Sequence, residues 1–152
     1  MPMKLTLAVT LECPPAECRV QLLDQAEPVT VHYSARVQAR IKIWPGQLVA
    51  LDTTPAIPEV VYRWHCVKVE QLKEDQILVS SHQGQLVELV KAPGLEATPQ
   101  VGDWVFATLG NPAEQGEVVD IAVDGRPAHP AWLSSYVLPK VEQFYQRIAN
   151  NL

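Results

Sequence analysis

The chain has 152 residues, room for one domain or two very small barrels, and carries a net charge of -5 with a pI near 5.3. That balance excludes a domain that coats nucleic acid by bulk charge, for which a pI above about 9 is usual, but leaves room for a local basic strip. At 47% hydrophobic and 19% charged the chain can bury a core and is not a self-repelling disordered polymer.

The charge is uneven. Residues 1–52 hold five basic and five acidic side chains, and residues 96–152 hold three basic and seven acidic, so the acidity sits in the C-terminal third. No apolar run reaches the roughly 18 residues of a membrane span. The alternating Leu-Thr-Leu-Ala-Val-Thr-Leu near the N-terminus, followed by Glu12, reads as a strand and not as a signal peptide. Three cysteines in a chain with its own core argue against a disulfide framework and for a reducing cytoplasm. The 13 prolines fall between apolar segments and almost exclude long helices before Pro139, so short strands joined by proline-rich loops are expected.

The first predicted strand is Lys4–Glu12, with Leu5, Leu7, Val9 and Leu11 on one face and Thr6, Ala8 and Thr10 on the other. Cys13-Pro14-Pro15-Ala16-Glu17 turns it into Cys18–Leu23. Val29–Ser34 and Val37–Trp44 alternate with a period of two, which puts Val29, Val31, Val37, Ile41 and Ile43 in the core. Pro45-Gly46 turns into the apolar Leu48–Leu51. After a loop, Val60–Gln71 is the longest strand, with Val60, Tyr62, Trp64 and Cys66 on one face. Ile77–Ser80 and Gln85–Val90 pair back across turns at Lys73-Glu74-Asp75 and His82-Gln83-Gly84.

Residues 6–52 resemble the OB-fold of bacterial translation initiation factor one and its ribosomal-protein relatives. The likeness rests on ECPPAECRVQL, then VTVHYS, a basic connection, and ARIKIWPGQLVALD. It implies a β-barrel over residues 1–92 and an RNA-binding role associated with translation or RNA metabolism. Residues 96–138, with VGDWVF, a Gly-containing loop and Glu117–Val123 before the hairpin signal Asp124-Gly125, are similar to SH3-like small barrels, Trp132–Leu138 closing the unit. Pro139 is expected to open a C-terminal helix over residues 139–152, whose Val141, Phe144, Tyr145, Ile148 and Leu152 form one apolar stripe that packs on the barrels. PGQLVALD and VGDWVFAT share a pattern, a Gly turn feeding an apolar strand, as two barrels in tandem would produce.

The chemistry-bearing feature is the strip Arg40, Lys42 and Trp44, flanked by His32, Ser34 and Arg36. Alternation places the first three on one wet face, and OB folds bind single strands by stacking bases on aromatics beside cations. These six residues are the expected nucleic-acid-binding site. A protein partner held through the barrels is the alternative. Cys13, Cys18, His65 and Cys66 could be assembled into a zinc set, but the spacing is not that of a zinc finger, and adjacent strand residues point to opposite faces. No metal, cofactor or catalytic group is expected: GxSxG, HExxH, GxxxxGK[ST] and GxGxxG are all missing, and Ser134-Ser135 beside His129 has no supporting pattern.

Overall fold

The computed structural model describes residues 3–15, 17–34, 43–81, 83–111 and 114–150. The protein is mostly β with one C-terminal helix. The strands are β1 (Leu5–Glu12), β2 (Glu17–Leu22), β3 (Val29–Tyr33), β4 (Leu48–Asp52), β5 (Glu59–Lys73), β6 (Gln76–Ser80), β7 (Leu86–Lys91), β8 (Trp104–Asn111), β9 (Glu114–Val123) and β10 (Arg126–Pro127), followed by helix α1 (Pro130–Asn150). The chain divides into two compact units, residues 1–63 with 134–152, and residues 64–133. The boundary expected at residues 92–96 therefore falls inside the second unit.

In the first unit β1 pairs antiparallel with β2 and with β4, β2 with β3, β3 runs parallel to β5, and β5 also pairs with β4. The strands thus close a ring in the order one-two-three-five-four. Its core is Ala8, Cys18, Val20, Val31, Val49, Leu51 and Val60, with Val29, Tyr33 and Ile43 packed at its border. Val37 and Ile41, also expected in the core, lie outside the described residues.

The inward face of β1 is the reverse of the one that residue size suggests. Ala8 points into the ring opposite Val49, and Thr10 is buried, whereas Leu11 is exposed. Leu7 and Val9 are also buried, opposite Ala50 and Leu48, because β1 and β4 are covered on both faces. A doubly covered strand loses the apolar–polar alternation that marks which side is inside.

The second unit uses the same strand order. β5 pairs antiparallel with β6 and β8, β6 with β7, β7 runs parallel to β9, and β9 returns antiparallel to β8. Residues 96–138 therefore do not close by themselves: β8 and β9 complete a ring begun by β5. The equivalence reaches single hydrogen bonds. Gly46 N donates to Thr10 O and Thr10 N to Gln47 O; Gly102 N donates to Val69 O and Val69 N to Asp103 O. The strand carrying each pair is irregular at the same place, between Thr10 and Glu12 in β1 and between Val69 and Gln71 in β5. Gly46 and Gly102 have φ of +85° and +94°, which glycine adopts without the Cβ penalty. The parallel pairings match as well, Ser34 N donating to Val60 O and Ala92 N to Val118 O.

Asp124-Gly125 forms the expected hairpin between β9 and β10, both residues at positive φ as a type I′ turn requires. The helix departs from expectation. It begins at Pro130 and contains Pro139, so Trp132–Leu138 is helical and not a strand. Leu133, Val137 and Val141 lie on one stripe and are buried, while Pro139 is exposed. Each such burial contributes about 1.5–3 kcal/mol, which together outweighs the about 3 kcal/mol cost of an interior proline. Phe144 stays 43% exposed, edge-on to Tyr62 at 5.8 Å, and the Tyr145 hydroxyl donates to the carbonyl of Val61. The side chain of Ile148, and Leu152, lie outside the described residues.

Candidate nucleic-acid interface

Trp44 stands at the entry to β4, in the turn that ends the basic connection. Hydrogen bonds to β1 and within the loop fix this turn. The Thr10 hydroxyl donates to Trp44 O at 2.6 Å and accepts from Gln47 N at 2.9 Å. Trp44 N donates to Gln47 Oε1 at 2.9 Å, and Gly46 N to Thr10 O at 2.9 Å. The backbone is thus clamped from the buried side, and the indole is left 37% exposed.

The Arg63 guanidinium lies over this ring, its central carbon 5.6 Å from the centroid. Arg63 is in β5 between Tyr62 and the buried Trp64, half-buried itself, and burial holds its pKa below the usual arginine value. A guanidinium stays charged at neutral pH regardless. The pairing is worth about 1 kcal/mol as a cation–π contact and leaves an aromatic face beside a fixed positive charge. Arg63 was not among the residues expected from sequence. The available signal was a cation inside the otherwise apolar run Val60–Trp64.

The equivalent turn of the second ring has the same backbone clamp, with Gln100 N donating to Asp103 Oδ2 at 2.8 Å. Gln100 there takes the place of Trp44, so only the first ring carries the aromatic.

Of the other expected site residues, His32 is exposed in β3, and its cross-strand neighbours are Glu17 and Glu59. That carboxylate setting suits a phosphate poorly. Ser34 is half-buried, its amide given to Val60 O at 3.2 Å. Arg36, Arg40 and Lys42 lie outside the described residues, as does His82.

Cys13 and Cys18 meet, with sulfurs 3.5 Å apart, whereas His65 and Cys66 pair with Ala107 and Phe106 in β8. Among the described residues no group of three or more His, Cys, Asp and Glu side chains could hold a metal ion. The buried Asp120 takes the His129 amide at 2.7 Å, the Ile121 amide at 2.8 Å and His129 Nδ1 at 2.8 Å. The carbonyl of His129 accepts from Leu133 N, the first bond of α1, so this pair anchors the start of the helix. No described helix is long and apolar enough to cross a membrane. Compared with protein-family models and with curated proteins, the chain matches none.

Proposed function

We propose that the protein is a non-catalytic binding module whose two rings are OB-type barrels, and that the first binds single-stranded nucleic acid, RNA in the first instance. The observation that carries this reading is the exposed Trp44 ring with Arg63 over it, held on a clamped turn that leads into β4 of a closed five-stranded ring. A base stacks on an aromatic for about 1–3 kcal/mol, and a neighbouring guanidinium meets the phosphate that follows. Arg40 and Lys42, four and two residues before Trp44, are the further cations the sequence offers. A net charge of -5 opposes long-range steering, so affinity is weak and rests on local contacts. Fluorescence anisotropy with a labelled single-stranded RNA tests this. Saturable binding at low salt, weakening with a slope set by about two or three phosphates, is expected. No saturable binding at low salt removes the proposal.

A second reading, assembly with a protein partner, is favoured by one observation in the second unit. Val101, Trp104 and Val123 are 61%, 52% and 55% exposed on or beside β8 and β9. Large apolar side chains left in solvent are the kind of surface that a protein partner covers.

A further inference from the structure

Cys13 and Cys18 face each other at the turn end of the β1–β2 hairpin, one step beyond the paired residues Glu12 and Arg19. Both are free thiols, and their sulfurs are 3.5 Å apart. Opposed positions on antiparallel strands hold Cα atoms about 4.5–5.5 Å apart. A disulfide spans about 4.4–6.8 Å, so side-chain rotation alone can close this pair. Pro14 and Pro15 fix two φ angles of the intervening turn, so the thiols are held together before any bond forms.

The two sulfurs differ in access. Cys13 is half-buried and open to reagents, whereas Cys18 is fully buried in the core of the first ring. The Tyr33 hydroxyl donates to Pro14 O at 3.1 Å and lies within hydrogen-bond reach of both sulfurs. Cys66 sits in β5, half-buried and paired across to Phe106.

We propose that Cys13 and Cys18 form a reversible dithiol–disulfide site, oxidised by a low-molecular-weight disulfide. The Cys13 thiolate attacks the reagent, whose sulfur–sulfur bond breaks and releases one small thiol. The Cys18 sulfur, giving up its proton, then attacks Cys13 Sγ and releases the second small thiol. One protein dithiol and one small disulfide become one protein disulfide and two small thiols. Burial, and next the neighbouring Cys13, push the Cys18 thiol up to about 12, so the Cys18 sulfur holds its proton at neutral pH and the second step quickens as pH rises. The site depends only on the hairpin and stands whether or not the ring binds nucleic acid.

The test exposes the full chain to oxidised glutathione, alkylates remaining thiols and reads intact and peptide masses. Wild type is expected to lose two hydrogens, keep one alkylatable thiol at Cys66 and carry no tripeptide. Cys18→Ala removes the resolving sulfur, so a glutathione adduct at Cys13 should persist at about tenfold or more the wild-type level. Cys13→Ala, at a half-buried turn position, keeps the core intact and should leave Cys18 unmodified. Three thiols remaining in wild type, an unresolved Cys13 adduct equal to that of Cys18→Ala, or modification of Cys18 in Cys13→Ala each overturns the proposal.

Discussion

The hydroxyl of Thr10 donates to the carbonyl of Trp44 at 2.6 Å across 34 residues of sequence, tying a buried position in β1 to an exposed ring at the start of β4. The same oxygen accepts from Gln47 N, so one side chain satisfies both ends of the turn. Thr10→Val keeps the volume and strands both backbone groups. It should cost about 1–3 kcal/mol of stability, read as a lower urea midpoint, and loosen the Trp44 side chain. An unchanged midpoint would mean that the backbone bonds of Gly46 and Gln47 suffice.

Two glycines separate strain from crowding. At Gly46 a Cβ meets nothing within 4 Å, and the cost of Gly46→Ala is conformational, about 1–2 kcal/mol from its positive φ. At Gly116 in β9 a Cβ falls 2.6 Å from the Leu109 carbonyl carbon and 2.6 Å from Leu89 Cδ2, where β9 passes β8 and β7. Gly116→Ala should therefore be the more damaging of the two, by about 1 kcal/mol or more in denaturant unfolding. The reverse order would contradict the packing of the second ring.

The strands were legible where one face is wet. Val29 and Val31 against Thr30 and His32 give β3, and Asp124-Gly125 gives the last hairpin. What escaped the sequence has physical causes. Ala8 and Thr10 face inward because β1 and β4 are covered on both sides, which erases alternation. Pro139 reads as a helix start because nothing local shows that Leu133, Val137 and Val141 form a buried stripe through it. That the second ring repeats the first showed only as the likeness of PGQLVALD to VGDWVFAT, which the structure turns into equivalent hydrogen bonds at Gly46 and Gly102. Arg63 could not be placed beside Trp44 from sequence, since their meeting depends on ring closure, a long-range event with no periodic trace.

Asp120 has no exposed surface and accepts three hydrogen bonds, two of them from His129 at the start of α1. Asp120→Ala leaves the amides of Ile121 and His129 without that acceptor. A loss of about 3 kcal/mol is expected, together with reduced helical signal in far-ultraviolet circular dichroism. Retention of both would show that Leu133, Val137 and Val141 hold the helix without its anchor.

The Cys18 thiol is raised from 9.0 to about 12 in the folded protein, by burial first and by Cys13 next. The unfolded chain loses this proton near 9.0 and the folded chain only near 12, so the folded state binds more protons between them. The contribution to stability is complete below the unfolded value and is lost as pH rises towards 12. Stability should fall with pH in that window, and Cys18→Ala should flatten the fall. Equal slopes in the two proteins would place the alkaline loss elsewhere, with Tyr33, whose hydroxyl is also raised by burial, the next group to test by Tyr33→Phe.

The most direct test of the binding face uses the four tryptophans, Trp44, Trp64, Trp104 and Trp132, each giving one indole N–H signal in a proton–nitrogen correlation spectrum. Trp44 is assigned from Trp44→Phe, and a short single-stranded RNA is titrated into the full chain at low salt. A progressive, saturating shift of the Trp44 indole signal is expected, with Trp64 and Trp104 unmoved. A shift of Trp104 alone, or of no indole at saturating RNA, would contradict it.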